Sequence, residues 1–171
     1  MDPTYIVGDF DSVDNETLKQ YESSNVKIKK LIPEKDFTDT ESALDLAIKI
    51  NSNMITIIGA IGTRLDHTIA NIHILKCALE KNIEAKIINE NNEIRLVRKN
   101  ITLANDNRYK YISLIPLTTE VTGITLKGFK YPLENYTLKI GTSLGVSNEQ
   151  TENIATINLK SGILIVIKSK D

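Results

Sequence analysis

Hydrophobic and polar positions follow two different rhythms along this chain. In the first half, short apolar runs alternate with segments of helical period. Tyr5–Val7 is an apolar run that stops at Gly8 and reads as a strand. Asp14 to Glu22 is a polar helix pattern with Ser12 as its expected cap, and 26–32 alternates loosely before Pro33, as a strand would. Thr38-Asp39-Thr40-Glu41 is a capping box ahead of Ala43, Leu44, Ala47 and Ile48, which share one helical face. Met54 to Ile58 is almost wholly apolar and β-branched, the pattern of a strand buried on both sides of a parallel sheet. A helix from about Asp66 to Lys81 follows, with Ile69, Ala70, Ile72, Leu75 and Leu79 expected inward, and then a strand at Ala85 to Ile88. Such alternation predicts βαβ units and a parallel sheet.

After the turn-forming Asn89-Glu90-Asn91-Asn92 the rhythm changes. Short β-rich runs appear at Ile94–Val97, Tyr111–Ile115, Val121–Leu126, Ala155–Leu159 and Ile163–Ile167, separated by Gly, Asn, Asp and Pro. This pattern predicts an antiparallel sandwich or barrel. The expected fold class is therefore α/β plus all-β: a parallel-sheet α/β domain of three-layer, Rossmann-like type over 1–98, then an antiparallel β-sandwich domain over 99–171.

Composition narrows the partners. With 21 Lys and Arg against 22 Asp and Glu, the net charge of -1 gives no support to bulk binding of nucleic acid or anionic membrane. The longest apolar runs are too short to span a bilayer, and no signal peptide is visible. Cys77 is the only cysteine, which excludes an intrachain disulfide and fits a reducing cytoplasm. It is read as a core or near-core thiol on its helix. His67 and His73, six apart on that helix, point to different faces, so a zinc site is not expected.

Three acidic clusters stand at predicted strand ends or helix starts: Gly8-Asp9-Phe10-Asp11-Ser12, Lys35-Asp36-Phe37-Thr38-Asp39, and Gly59-Ala60-Ile61-Gly62-Thr63-Arg64-Leu65-Asp66-His67. Open α/β sheets place their ligand sites there. Asp9 and Asp11, two apart, can project to one side and reach a hard cation; a solvated turn is the plainer reading. Asp39 suits a helix first turn by charge alone, but the same turn can present N–H groups to phosphate. Lys35 and Thr38 are placed to assist, unless Thr38 is spent as the cap. Gly59 and Gly62 let the loop backbone approach an anion, and Arg64 offers a planar fork for phosphate. The alternatives are an N-cap role for Asp66 and a salt bridge for Arg64. Neither a Walker A nor a dinucleotide fingerprint is present. Gathering this many carboxylates at one edge is unfavourable without a cation, which makes a bound metal the economical explanation.

Taken in order, these clusters closely resemble the thiamine pyrophosphokinase family. The resemblance extends to Asn71, Asn92-Glu93-Ile94-Arg95, Ser113-Leu114-Ile115-Pro116-Leu117, Val121 to Gly128, Lys130-Tyr131-Pro132-Leu133 and Gly145-Val146-Ser147-Asn148-Glu149, nearly the full length. It implies transfer of pyrophosphate from ATP to the thiamine hydroxyl, with AMP leaving. It also implies Mg2+ held by Asp9, Asp11 and Asp39, one of which accepts the hydroxyl proton. Lys35, Thr38, Gly59, Arg64, Asp66 and His67 would serve the nucleotide and its phosphates. Ser147 and Asn148 would contact thiamine in the partner's site of a cytoplasmic homodimer. Two departures stand out. The family carries a further strand–helix–strand segment with an Asp-Gly turn ahead of Gly8, whereas this chain starts at Met1-Asp2-Pro3. A truncated product, a late-assigned start and a divergent short form are all compatible with that, and the missing turn is expected to weaken activity. No tryptophan is present to stack on thiamine. The rival readings are a metal-dependent phosphohydrolase and a non-catalytic thiamine-binding short paralogue.

Overall fold

The computed structural model describes residues 3–11, 13–32 and 36–171. The chain divides into two compact units, Met1–Ser52 and Asn53–Asp171.

The first unit holds β1 (Tyr5–Gly8), α1 (Asn15–Glu22), β2 (Lys27–Lys30) and α2 (Asp39–Lys49). β1 and β2 pair in parallel, from Tyr5 opposite Lys27 to Gly8 opposite Lys30, with α1 as the crossover. The cap of α1 is Asp14, not Ser12, which lies outside the described residues. Asp14 Oδ1 accepts the Thr17 amide at 2.8 Å and Oδ2 the Thr17 hydroxyl at 2.7 Å. Those bonds to Thr17 hold the Asp14 carboxyl below its usual range. α2 starts where the capping box predicts, with Thr38 as N-cap, and packs against β1. Its expected apolar face is only partly used: Leu44 is buried and Ala47 and Ile48 half-buried, whereas Ala43 is exposed.

The second unit contains β3 (Met54–Ile58), α3 (Leu65–Glu80), β4 (Glu84–Ile88), β5 (Asn92–Val97), β6 (Ile101–Ala104), β7 (Tyr111–Pro116), β8 (Glu120–Lys127), β9 (Leu133–Lys139), β10 (Ile154–Asn158) and β11 (Leu164–Ser169). Among the described residues no helix follows α3, as the second-half pattern predicts. β6 and β9 are strands that the apolar runs did not mark. β3 and β4 pair in parallel around α3, but they do not form a sheet of their own. The sheet order is β3-β4-β5-β11-β7, and from β4 onward every pairing is antiparallel. The second sheet runs β6-β10-β8-β9, wholly antiparallel.

The switch from parallel to antiparallel has a local cause. Between β4 and β5 there is a tight turn rather than a crossover helix, so β5 must return alongside β4. Asn89 builds that turn: its Oδ1 accepts from the amides of Asn91 and Asn92 at 3.1 and 2.7 Å, and its own amide donates to the Asn92 carbonyl.

One face of the five-stranded sheet packs on the four-stranded sheet. Val97, Ile112, Leu114, Leu164 and Val166 meet Leu103, Val121, Ile124, Leu138 and Ile157 in one buried cluster. On the opposite face Ile87 and Ile94 sit in register and α3 covers them. The buried stripe of α3 is Asn71, Leu75 and Ala78, spaced four and three apart. This corrects the expected inward set, because Ile69 and Ala70 are exposed. Cys77 is exposed too, one step off the stripe, and is not a core thiol. β3 also departs from expectation. It is an edge strand, and only Ile55 along it is buried, while Ile58 is 80% exposed.

Among the described residues no helix is long and apolar enough to cross a membrane.

Candidate functional site

In the first unit the chain leaves β1 at Gly8, whose carbonyl accepts the Leu31 amide at 2.8 Å. It then bends sharply, because Phe10 adopts φ 63°, the left-handed region. That conformation costs an aromatic residue about 1 kcal/mol, and such strain collects at ligand sites. The Asp11 amide donates back to Asp9 Oδ1 at 3.3 Å, closing a local Asx turn. The Asp39 carboxylate at the start of α2 lies beside Gly8: a Cβ built on Gly8 would stand 3.5 Å from Asp39 Oδ2. The end of β1 and the first turn of α2 therefore meet within this unit. Asp9, Asp11 and Asp39 each take part in further interactions, so none of the three is free. Thr38 Oγ1 accepts the Glu41 amide at 3.2 Å, so its hydroxyl serves the cap. Lys35 lies outside the described residues.

Among the described residues no three Asp, Glu, His or Cys side chains form a ready-made metal cluster. The donor set still fits magnesium, which takes hard oxygen ligands and commonly draws one or two carboxylates from protein and the rest from phosphate and water.

In the second unit the loop between β3 and α3 carries the third cluster. Gly59 has φ +78°, a conformation that a side chain rarely adopts, and a Cβ there would meet nothing within 4 Å. Space around Gly62 is equally open. The Gly62 amide, however, donates to Thr68 Oγ1 at 3.3 Å, so that N–H faces α3 and not an incoming anion. Arg64 is the N-cap residue of α3 but makes no side-chain cap. Its fork instead grips Asp66, Nη2 to Oδ2 at 2.6 Å and Nε to Oδ1 at 3.2 Å. The salt bridge weighed for Arg64 is thus present, and the N-cap role weighed for Asp66 is not. The hydrogen bond from Arg64, aided by the His67 amide, holds the Asp66 carboxyl at about 2. The same bond holds the Arg64 guanidinium charged even more firmly than usual. Both side chains are well exposed, at 70% and 65%, so a phosphate can compete for the fork without unfolding anything. His67 is exposed beside them.

Also in this unit, residues 145–148 run along β7. Leu114 donates to the Gly145 carbonyl at 2.8 Å, and Ile112 and Asn148 exchange both backbone bonds, at 2.7 and 3.1 Å. A Cβ on Gly145 would fall 2.3 Å from the Leu114 carbonyl oxygen, so only glycine fits. Asn148 is buried and its amide is used inside the fold. Nδ2 donates to the Tyr131 carbonyl at 2.7 Å, and Oδ1 accepts the amides of Tyr131 and Glu149 at 3.0 and 2.9 Å. Ser147 is held with φ 59°, its amide donating to Ser113 Oγ at 3.0 Å and its side chain exposed. Thr68 escapes a reading of the sequence, whereas Ser113 and Tyr131 fall inside the family segments with no signal of the bonds they make to Ser147 and Asn148. Thr68 carries one clue, four residues after Arg64 on a helix start.

These features match known proteins along the chain. Residues 1–87 match the family model of the thiamin pyrophosphokinase catalytic domain, and residues 98–164 that of the thiamin pyrophosphokinase vitamin B1 binding domain. The thiamine pyrophosphokinase of Bacillus subtilis is 35% identical over 170 residues, covering 99% of this chain and 79% of the relative. Thiamin pyrophosphokinase 1 of Caenorhabditis elegans is 25% identical, covering 97% of this chain and 70% of its own. Crystal structures of the Bacillus subtilis and Geobacillus thermodenitrificans enzymes superpose with TM-scores of 0.92 and 0.87, each at 34% identity. They cover 99% of this chain and 79% and 78% of theirs. The Candida albicans thiamin pyrophosphokinase, 20% identical, shares the fold with a TM-score of 0.83. The two matches are thus to a protein class that joins a catalytic module to a vitamin-binding one. The chain belongs to the thiamin pyrophosphokinase family.

Proposed function

We propose that this chain is a thiamine pyrophosphokinase, moving a pyrophosphoryl group from ATP to the thiamine hydroxyl. The observation that carries the proposal is the ordered match of one chain to both modules of that family, at 1–87 and 98–164. In the step, the hydroxyl oxygen of thiamine bonds to the β-phosphorus of ATP. The bond from that phosphorus to the oxygen bridging the α-phosphorus breaks, and AMP leaves with the bridging oxygen. The hydroxyl proton passes to one of Asp9, Asp11 and Asp39.

Asp9, Asp11 and Asp39 would hold Mg2+, which when bound offsets charge on the phosphate oxygens. Asp39, in the first turn of α2, sets its carboxylate beside the end of β1, and Thr38 fixes that turn. Lys35 adds a cation to the same segment. Gly59 lets the loop backbone approach the nucleotide, and Arg64 offers its fork to phosphate in exchange for Asp66; His67 stands next to that pair. For thiamine, Ser147 is the exposed contact, and Asn148 holds the strained loop that presents it. The nucleotide part is assigned to 1–98 and the thiamine part to 99–171, with the working unit a cytoplasmic homodimer sharing its sites.

AMP formation that requires thiamine, ATP and Mg2+ together tests the proposal. Asp9→Asn with Asp11→Asn should abolish turnover, by a factor of about a thousand or more where charge stabilisation is removed from a phosphoryl transfer. Thiamine affinity by isothermal titration should persist. Phosphate release without thiamine would point to hydrolysis. No binding of thiamine or of an ATP analogue with Mg2+ would reject the proposal.

A further inference from the structure

We infer that Asn71 and Thr68 are positioning residues that clamp the loop carrying Arg64, an inference that rests on the proposed pyrophosphotransfer. Asn71 is the polar member of the buried stripe on α3, beside Leu75 and Ala78. A buried amide in an apolar stripe must be hydrogen-bonded, or it destabilises the helix packing. Its Nδ2 donates to the Ala60 carbonyl at 2.9 Å, eleven residues back in the chain. Ala60 is itself buried and lies past the end of β3, where the sheet ladder no longer satisfies its carbonyl.

Thr68 makes the second clamp. Its Oγ1 accepts the Gly62 amide at 3.3 Å and lies 3.2 Å from the Arg64 carbonyl, within donating reach. The two side chains thus tie down Ala60, Gly62 and Arg64, every second residue of the loop. Packing does not do this work at the glycines, where a Cβ would meet nothing within 4 Å. Polar clamps from α3 are the restraints the structure provides for an otherwise open turn. Their consequence is that the backbone carrying Arg64 is set before the nucleotide arrives, so only the side-chain fork has to exchange Asp66 for phosphate. Neither side chain is asked to touch substrate.

The test compares three variants, Asn71→Ala, Thr68→Val and Thr68→Ser, with the wild type. Asn71→Ala should raise KM for ATP about tenfold, the loss of one buried hydrogen bond, while KM for thiamine stays put. Thr68→Val, which keeps the shape and deletes the hydroxyl, should raise KM for ATP about threefold, the low end for one bond, and Thr68→Ser should restore it. An unchanged KM for ATP in Asn71→Ala, or equal rises for both substrates tracking the folded fraction, overturns the inference. Should Asn71→Ala fail to fold, the Thr68 pair decides. If the wild type forms no AMP, the functional proposal fails separately. Amide exchange at residues 60–64 then judges the clamp: faster in both Asn71→Ala and Thr68→Val supports it, unchanged in either refutes it.

Discussion

Arg64 and Asp66 show how one pair of side chains holds two competing uses. Each was a candidate for phosphate, and each is occupied by the other through a two-point fork. Because both are exposed, the pair contributes little to stability and is cheap to open. Asp66→Asn should leave Tm within about 2 °C, as expected for exposed pairs, and tighten or preserve ATP binding by releasing the fork. Arg64→Ala should raise KM for ATP at least tenfold at an equally unchanged Tm, as the loss of a charge-assisted contact to phosphate would. The pH dependence follows from sign. The Asp66 carboxyl is depressed to about 2 by the Arg64 hydrogen bond, so it is ionised throughout the neutral range. Whatever the pair contributes is present above the ordinary carboxylate value and lost as pH falls through about 2. A carboxylate titration by NMR should therefore show Asp66 unchanged between pH 5 and 9, near-neutral conditions well above that value. Asn148 teaches the converse lesson. Its place in a family motif marks it as a ligand, yet its side-chain amide bonds to the Tyr131 and Glu149 backbone, and the neighbouring Ser147 is what faces outward.

Elements were legible where the local code is self-contained. The Thr38 box predicts the start of α2, because the cap satisfies helix amides with a side chain four residues or fewer away. Thr38→Ala should cost about 1 kcal/mol of the first unit's stability, and Thr38→Ser close to nothing, by denaturant titration. Elements were misjudged where burial depends on what lies across the sheet. The apolar run of β3 matches a doubly covered strand, but its position at the edge of its sheet leaves Met54 and Ile58 exposed. The inward face of α3 shifts for the same reason. The surface of β4 and β5 selects the 71–75–78 stripe, and hydrophobicity alone ranked Ile69 above Asn71. β9 was invisible because most of its residues are polar or exposed, although it pairs with the strand just before it, β8.

At the scale of the whole second unit, the sandwich face of the five-stranded sheet changes character along its length. Past the apolar cluster it carries Glu93, Arg95, Lys86 and Lys168, from three neighbouring strands. Glu93 is 3% exposed. Burial pushes its carboxyl up, but the Arg95 hydrogen bond and the charges of Arg95, Lys86 and Lys168 outweigh that and hold it below its usual value. Burial lowers the Lys168 ammonium, which Glu93 partly restores. Removing the one buried anion would strand its cations, so Glu93→Ala should destabilise the unit by about 3–5 kcal/mol in urea unfolding. Glu93→Gln, which keeps hydrogen-bonding capacity, should cost less. Stability from Glu93 is full above the ordinary Glu value and drains as pH falls through its lower folded value. Unfolding midpoints should accordingly fall below pH 4.5 in the wild type more steeply than in Glu93→Gln.

The residue order by itself determined the two rhythms of the chain, the cap of α2, the Asn89 turn, the acidic and glycine clusters and the family to which they belong. These are decided within a few residues of backbone, or by motifs whose order along the chain is itself the signal. Only the tertiary structure decided that β3 is an edge, that the inward stripe of α3 is Asn71, Leu75 and Ala78, and that Asn71 reaches back to the Ala60 carbonyl. Each depends on a surface or a partner brought close by folding, and no local pattern encodes which surface that will be.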